Sequence, residues 1–295
     1  MNYDLQPLVL VPVLDGLVWG VMLVMIAAGL TLIFGFMEII NFAHGALYML
    51  GGYVVFTVMG VTGSFWLGLL LAPLVVGVIA LIIEWGLLRP SYDSGPIKQL
   101  LVLLGVTLVI EGAVVLIWGA RARSVDTPSA LAFSVPLGVG QYPAYWLFLL
   151  IIGSVTVVAI WAFMRYSRIG LVVRASMTDK TMARALGHDI PTIYTQVFVG
   201  SVMIAALAGA LMVPIRSIGP ETGVQILLLA FVIVVVGGLG SFKGTVAAGL
   251  LIGMTDILIT RFISFRFAGI TMFAILLIVL ITRPRGLFGE KGVME

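Results

Sequence analysis

Long apolar runs occupy most of this 295-residue chain and constrain its fold more than any other feature of the sequence. A transmembrane helix needs about 20 predominantly apolar residues, and the first run, residues 11–34, exceeds that length. Further apolar runs cover residues 45–59, 65–88, 99–118, 143–164, 191–213, 224–236, 245–260 and 267–281. Their length and number predict an all-α polytopic membrane protein with eight or nine transmembrane or re-entrant helical segments.

The composition supports this class and excludes others. Hydrophobic residues make up 61% of the chain and charged residues 10%, whereas an ordinary globular domain has about 25% charged residues. The 35 glycines suit helices that pack closely in lipid. The chain has no cysteine, which excludes disulfides and thiol chemistry. The charges are too few for the basic balance to indicate a nucleic-acid partner.

Two of the apolar runs are interrupted by polar residues and glycines. In GFMEIINFAHGALYMLGGY, residues 35–53, the polar interruptions are Glu38, Asn41 and His44. In GGLGSFKG, residues 237–244, four glycines fall within eight residues. Irregular backbone at membrane depth is tolerated only where protein or a water-filled cavity covers it. Each stretch therefore predicts a broken-helix elbow, and their similar build suggests an internal duplication.

Repeated broken helices near the bilayer midplane mark substrate paths in transporters. We therefore predict that the two elbows border a substrate path. The candidate path residues are Asn41, Phe42, His44, Gly45, Gly238 and Gly240. In the structural alternative, the polar side chains pair with exposed backbone groups and the glycines allow helices to approach closely.

Residues 165–190 form the longest densely charged interruption, with five basic and two acidic residues. Ser176 followed by Asp179 matches the capping pattern of a helix N-terminus. Gly187 supplies a left-handed stop, and Pro191 opens the next apolar run at a tolerated helix position. The segment therefore predicts a short helix over residues 177–186, between the fifth and sixth spans.

The predicted short helix has two different sides. One side carries small or apolar residues, namely Thr178, Met182, Ala185 and Leu186. Lys180 and Arg184 lie opposite, four residues apart and mutually repulsive, so we expect acidic groups of a partner protein to face them. The alternative is a helix that rests on the lipid interface, for which basic residues opposite an apolar stripe are also suitable.

The distribution of Lys and Arg predicts the orientation in the membrane. Residues 89–98, 165–184 and 283–291 are basic and are expected in the cytoplasm. Counting back five spans places the N-terminus outside and the C-terminus in the cytoplasm. The connection 119–142, rich in Pro, Ser and Gly, is predicted to be an external loop with some structure of its own.

Three acidic residues interrupt apolar runs outside the elbows. Glu111 lies well inside the fourth span, where an ionised carboxylate costs about 2.5–3.5 kcal/mol unless protein or water covers it. Glu111 and Asp256 are either proton or substrate sites, or carboxyls paired with a neighbouring helix. Glu84 lies close to Arg89 near an interface, and its side chain is expected to extend toward the interface.

Four stretches of the sequence together resemble one known family. They are GLTLIFGFMEIINFAHGALYMLGGY (29–53), RASMTDKTMARALGHDI (174–190), VVVGGLGSFKGTVAAGLLIG (234–253) and RPRGLFG (283–289). In this order they resemble the LivH-type permeases of bacterial branched-chain amino acid ABC transporters, over nearly the whole chain. The central loop departs from the Glu-Ala-Ala pattern of many ABC permeases and has only Ala183 and Gly187 at comparable places.

The resemblance implies a multi-pass permease subunit of the bacterial inner (plasma) membrane, with residues 1–295 as a single transmembrane permease domain. It implies four kinds of partner: a second related permease, two cytoplasmic ATPases, a periplasmic substrate-binding protein and membrane lipid. ATP would be used by the partner subunits, and this chain would bind no cofactor, metal or nucleic acid and would have no catalytic residue. The short helix would then couple the chain to an ATPase. The candidate coupling residues are Arg174, Asp179, Lys180, Met182, Ala183, Arg184, Leu186 and Gly187.

Two other functions stay open at this point. A proton-coupled secondary transporter would use Glu111 and Asp256, but it would not need a capped, charged helix in the cytoplasm. The family also includes transporters for urea and short amides, so the resemblance does not determine the solute. No P-loop and no nucleophile–base pair indicates an enzyme.

Overall fold

The computed structural model describes residues 5–137, 140–267 and 269–289, and helices dominate this part of the chain. The helices are α1 (Leu5–Met37), α2 (His44–Thr62), α3 (Phe65–Ile83), α4 (Pro96–Trp118), α5 (Ala144–Tyr166), α6 (Arg168–Thr178), α7 (Lys180–Ala185), α8 (Ile190–Met212), α9 (Thr222–Gly237), α10 (Phe242–Phe262) and α11 (Ile270–Thr282). A small antiparallel sheet consists of β1 (Ser134–Pro136) and β2 (Gln141–Pro143).

The predicted all-α polytopic class is confirmed. Among the described residues, seven helices are long and apolar enough to cross a membrane: α1, α2, α3 with its continuation, α4, α5, α8 and α10. α9 and α11 are shorter apolar helices, and the 16 residues of α9 extend for about 24 Å. The predicted break between residues 236 and 245 is present, because α9 and α10 are separate helices.

The backbone contacts group the chain into two compact units. One unit comprises residues 1–27, 127–158 and 229–295, and the other comprises residues 28–126 and 159–228. The boundary between them falls within α1, and again within α5 and α9. The early elbow and the charged segment both belong to the second unit, which therefore contains most of the candidate site. That residues 1–295 form one permease domain stays a prediction.

The second unit is built on close contacts between α2 and α8. A Cβ atom on Gly51 would overlap the backbone of Ala206, and one on Gly209 would overlap the carbonyl of Tyr48. Only glycine allows the two helix backbones to approach this closely, as is common where dispersion and close packing hold helices together in lipid. α3 completes this core, and Ser64 begins α3 by accepting a hydrogen bond from the backbone N–H of Leu67 at 3.3 Å.

α3 does not end where the apolar run ends. A turn of π-helix, Glu84–Leu88, and a 3₁₀ segment, Arg89–Ser94, extend it without interruption. Single π turns inside helices shift the side chains that follow them and occur often at functional positions. This shift allows Tyr92 to contact Glu84, as described below.

The predicted external loop has local structure, as expected. Its strands β1 and β2 form a hairpin in which Ser134 pairs with Pro143. Tyr142 at the end of the hairpin donates a hydrogen bond to Asp15 of α1 at 2.8 Å. Burial and the hydrogen bond to this carboxylate raise the pKa of the Tyr142 phenol, so the phenol stays protonated as the donor.

The first unit contains a second close helix contact, between α1 and α10. A Cβ atom on Gly253 would overlap the Cα atom of Gly20, and one on Gly16 would lie 3.0 Å from the Cα atom of Met254. The spacing of Gly16 and Gly20 on α1 matches that of Gly249 and Gly253 on α10, the small-xxx-small arrangement of tightly packed membrane helices.

We predict that Gly253→Ala destabilises the protein by about 1–3 kcal/mol, the usual cost of an added methyl group in a filled contact. The matched control is Gly105→Ala, because a Cβ atom on Gly105 of α4 would meet no atom within 4 Å. Thermal unfolding in detergent should show a lower midpoint for Gly253→Ala and no decrease for Gly105→Ala. Equal midpoints for both variants would contradict the packing role of Gly253.

Candidate functional site

The early elbow begins where α1 ends, at a residue in an unusual conformation. Glu38 has φ +60°, and its backbone N–H donates to the carbonyl of Phe34 at 2.9 Å, which closes the helix. This left-handed conformation costs a non-glycine residue about 1–2 kcal/mol. The Glu38 side chain is exposed, whereas Ile39 and Asn41 beyond it are buried. Glu38 is therefore an exposed position between buried residues, since Met37 before it is buried as well.

Asn41 organises the irregular backbone between α1 and α2. Its side-chain oxygen accepts from the N–H of Ala43 at 3.1 Å, and its backbone carbonyl accepts from the N–H of His44 at 3.2 Å. These bonds pair backbone groups that the helix break leaves open. The amide nitrogen of Asn41 is also fully buried, but it has no hydrogen-bond partner among the described residues. The side-chain oxygen of Asn41 thus caps the broken backbone, whereas its amide nitrogen makes no hydrogen bond within the described residues.

His44, the first residue of α2, is fully buried next to α8. A Cβ atom on Gly29 would lie 2.9 Å from Cε1 of His44 and 2.7 Å from the carbonyl oxygen of Ser201. Gly29 therefore leaves the space in which the imidazole and α8 meet. The hydroxyl of Ser201 is buried and, like the amide nitrogen of Asn41, has no hydrogen-bond partner in the described part of the chain. Polar side chains buried among apolar helices are thus concentrated around His44.

The depth of this polar cluster follows from α8. Ser201 lies eleven residues after Ile190, the first residue of α8, which corresponds to about 16 Å along the helix axis. This distance is about half of the 30 Å hydrocarbon thickness of a bilayer. Ser201 therefore lies near the middle of α8, and His44 packs beside it.

The other two candidate path residues of the early elbow differ in surroundings. Phe42 is half-buried beside Asn41. Gly45 faces the start of α9, and a Cβ atom there would overlap the carbonyl of Gly223. Gly45 thus has a packing function that requires glycine, and its role in a path stays a prediction.

The late elbow resembles the early one in its backbone conformation and capping, although its residues differ. α9 ends at Gly237, and Gly238 and Gly240 have φ +104° and +79°. Ser241 then caps α10, since its hydroxyl accepts from the N–H of Gly244 at 3.2 Å. Both elbows thus leave a helix through a left-handed residue and enter the next helix after a polar side chain that accepts from the backbone.

The carboxyl-terminal part of the described chain covers the late elbow. The N–H groups of Leu287 and Phe288 donate to the carbonyls of Val236 and Gly237 at 2.8 and 3.0 Å. A Cβ atom on Gly238 would lie 2.6 Å from the backbone nitrogen of Gly289. RPRGLFG therefore contacts GGLG directly. Gly238 and Gly240 lie in the first unit, and the residues of the early elbow lie in the second.

The charged segment contains two helices rather than the predicted one. Ser167 begins α6 by accepting from the N–H of Gly170 at 2.9 Å. α6 continues past Ser176, which is buried within it, and ends before Asp179, which has an extended conformation. The predicted start of a helix at Ser176 is wrong. The buried side of α6 consists of Gly170, Val172, Val173 and Ser176. Ser176 is thus one helical turn after the two valines on the same side, inside α6 rather than before a helix.

α7 has defined ends. Asp179 caps it by accepting from the N–H of Met182 at 2.9 Å. At its other end Gly187, with φ +85°, donates to the carbonyl of Arg184 at 2.9 Å, and the N–H of His188 reaches the carbonyl of Ala183 at 3.3 Å. This pair of bonds is a Schellman motif, and the predicted glycine stop is confirmed.

The start of α8 is also fixed by a capping residue. Asp189 caps α8, and hydrogen bonds from the side chain and backbone of Thr192 lower the pKa of its carboxyl. Pro191 occupies the first turn of α8, as predicted.

The candidate coupling residues divide into exposed and covered groups. Met182 and Leu186 are 58% and 71% exposed, and Arg184 is exposed as well. Ala183 is buried. Arg174 lies outside α7 and donates to the carbonyl of Arg165 at 3.4 Å. The tip of the segment thus presents two apolar side chains to the surroundings.

Lys180 contradicts the expectation that an acidic group of a partner protein faces it. Its ammonium group lies 3.0 Å from a carboxylate oxygen of Glu38, so its ion-pair partner is in the same chain. No local pattern predicts this contact, because Glu38 and Lys180 are far apart along the chain.

Comparison of the sequence with known proteins identifies the family of the chain. A model of the family described as branched-chain amino acid transport system / permease component matches residues 13–280. The chain belongs to this family.

Relatives of the permease come from bacteria and an archaeon. The high-affinity branched-chain amino acid transport system permease protein LivH of Escherichia coli K12 is 31% identical over 302 residues, with 95% of each chain covered. The corresponding protein BraD of Pseudomonas aeruginosa is 28% identical, again over 95% of each chain. A probable LivH protein of Methanocaldococcus jannaschii is 26% identical over 86% of this chain and 82% of its own length. No solved structure matches the chain significantly.

The permease has one buried polar cluster that the sequence did not predict correctly. Glu84 is fully buried rather than directed to the interface. Tyr92 and Thr195 donate their hydroxyls to its two carboxylate oxygens at 2.6 and 2.8 Å. These bonds connect the π turn after α3 to α8. Tyr92, a polar aromatic residue eight positions after an acid in an apolar run, was the available signal.

The other two acids of the permease have different surroundings. An oxygen of Glu111 is buried and has no hydrogen-bond partner within the described ranges. Asp256 accepts from the N–H of Gly269 at 3.4 Å, so it connects α10 to the turn before α11. The carboxyl of Asp256 thus has a structural contact, and Glu111 has none in the described structure.

We predict that Asn41→Ser and His44→Ala lower uptake per assembled complex by about two- to tenfold, the worth of one hydrogen bond to a solute. Serine can still accept from the N–H of Ala43, so the capping function of Asn41 is retained while its unpaired amide nitrogen is lost. Uptake normalised to the amount of complex in the membrane is the measurement. Poor assembly with unchanged uptake per complex would assign both residues a structural role only.

Proposed function

We propose that this chain is the membrane permease subunit of an ATP-driven importer for branched-chain or related amino acids. It forms the translocation path with a second related permease in the bacterial inner membrane. Two cytoplasmic ATPases hydrolyse ATP, and a periplasmic binding protein delivers the solute. The chain itself binds no cofactor and carries no catalytic residue.

The exposed tip of the charged segment is the observation that carries this proposal. Met182 and Leu186 extend from α7, whose two ends are closed by Asp179 and Gly187. The flanking helices α6 and α8 are capped as well, by Ser167 and Asp189. A capped segment with an apolar tip between two membrane spans is suited to dock in a cleft of a partner subunit and to move with it.

A lipid surface fits this tip less well than a protein cleft. Burial of Met182 and Leu186 would contribute about 1.5–3 kcal/mol each, which is a small amount for a membrane anchor. Lys180, which would face anionic lipid in that alternative, is already paired with Glu38. Arg184 remains exposed on the segment and can contact an acidic group of the ATPase.

The polar cluster around His44 supports a path for a small polar solute. The amide nitrogen of Asn41 can donate to a carboxylate, and the hydroxyl of Ser201 can donate or accept. The relatives are named as transporters of branched-chain amino acids, and we extend that substrate class to this chain. Urea or a short amide would suit the same donors, so the binding-protein partner sets the selectivity.

A proton-coupled secondary transporter is the competing proposal, and the unpaired carboxylate oxygen of Glu111 is the observation that favours it. Co-purification in mild detergent separates the two functions. An importer subunit purifies together with its ATPases, whereas a secondary transporter purifies without them.

We propose an external N-terminus and a cytoplasmic charged segment, and we predict the labelling pattern that follows. The chain has no native cysteine, so Ser129→Cys and His188→Cys, both at exposed positions, can each be probed alone. A membrane-impermeant maleimide applied to intact cells should label the first variant and should label the second only after the membrane is opened. The reverse pattern would overturn the orientation.

We predict that Leu186→Asp abolishes substrate-stimulated ATP hydrolysis and uptake while the protein still reaches the membrane. A carboxylate forced into an apolar docking cleft would have to be buried without a partner, which is strongly unfavourable. Thr181→Asp is the matched control: it adds the same charge to α7 at an exposed position, about 140° away around the helix, where an acid in the first turn is favourable. Normal uptake by Leu186→Asp would contradict the docking proposal.

A further inference from the structure

The ion pair between Glu38 and Lys180 joins two parts of the candidate site. Lys180 is the first residue of α7, and Glu38 is the first residue of the early elbow after α1. The pair therefore connects the exposed coupling segment to the irregular backbone that leads to His44. His44 in turn packs beside Ser201, near the middle of α8.

The positive charge of Lys180 is unfavourable for α7 itself. A cation in the first turn of a helix opposes the helix dipole, which favours acidic groups there. The carboxylate of Glu38, 3.0 Å away, compensates that charge. Because Asp179 caps the same turn, the backbone that carries Lys180 is held in the first turn of α7.

A glutamate at position 38 is likewise unfavourable for the elbow backbone. Its left-handed conformation is one that glycine adopts without strain. Glutamate offers a side chain that glycine lacks, and this side chain is 70% exposed at the rim of an otherwise buried turn. The carboxylate is thus the part of the elbow that a movement of α7 can reach.

We propose that Glu38 and Lys180 are positioning residues through which a displacement of the coupling segment changes the conformation of the early elbow. The proposal rests on the docking function assigned to α7 above. The pair favours the conformer in which α7 lies against the elbow, as in this structure. An exposed ion pair is weak, so its loss should change the balance between conformers about two- to fivefold rather than prevent folding or assembly.

The test is a charge exchange measured in the whole complex reconstituted in proteoliposomes. Glu38→Lys and Lys180→Glu should each lower the uptake per ATP hydrolysed by about two- to fivefold, because each places like charges side by side. The double variant restores opposite charges with the same backbone strain at position 38. It should regain at least half of the wild-type ratio, and a ratio no better than that of the weaker single variant would overturn the proposal.

Two further variants separate the carboxylate from other effects. Arg184→Glu reverses an exposed charge on the same helix, and any loss it causes should not be restored by Glu38→Lys. Glu38→Gly removes the carboxylate and relieves the backbone strain, so it should assemble normally and still show the reduced ratio. A wild-type ratio for Glu38→Gly would overturn the proposal.

Failure of this proposal can be distinguished from failure of the docking function. If Leu186→Asp abolishes uptake but the two charge reversals act independently, docking stands and the ion pair has no coupling role. If Leu186→Asp leaves uptake intact, the docking function is wrong and the coupling role of the ion pair, which rests on it, is overturned as well.

Discussion

Backbone groups released by a helix break have no water to bind at membrane depth, and the structure depends on how the protein pairs them. At the early elbow Asn41 accepts from the N–H of Ala43. At the late elbow Ser241 accepts from the N–H of Gly244, and residues 287–288 donate to the last carbonyls of α9. The same constraint that makes irregular backbone rare in membranes thus makes each break a structured feature.

Close helix contacts provide the covering that these breaks require. α2 approaches α8 at Gly51 and Gly209, and its first turn lies against Gly223. These contacts bury the early elbow and leave Glu38 at its rim. Packing therefore buries Asn41 and His44 and leaves the Glu38 carboxylate exposed, where water can solvate it.

The sequence predicts those features that depend on neighbouring residues. Apolar run length predicted the spans, polar residues and glycines predicted the breaks, and Gly187 predicted the end of α7. Local patterns were ambiguous at Asp179, where the same residue can complete a cap begun by Ser176 or cap a helix itself. The buried side of α6 decides this, and it depends on packing. Glu84 and Lys180 were misjudged because their partners, Thr195 and Glu38, lie far away in sequence.

The joints of the charged segment determine how a movement of its tip could spread. Gly170 packs against the carbonyl of Met164 at the end of α5, so α6 has little freedom to shift relative to α5. The caps at Asp179 and Asp189 limit bending before α7 and before α8. A displacement of Leu186 would therefore be carried to the adjoining ends of α5 and α8. The contact with Glu38 differs from these joints because it is an exposed ion pair, which can break and re-form without disturbing the packing.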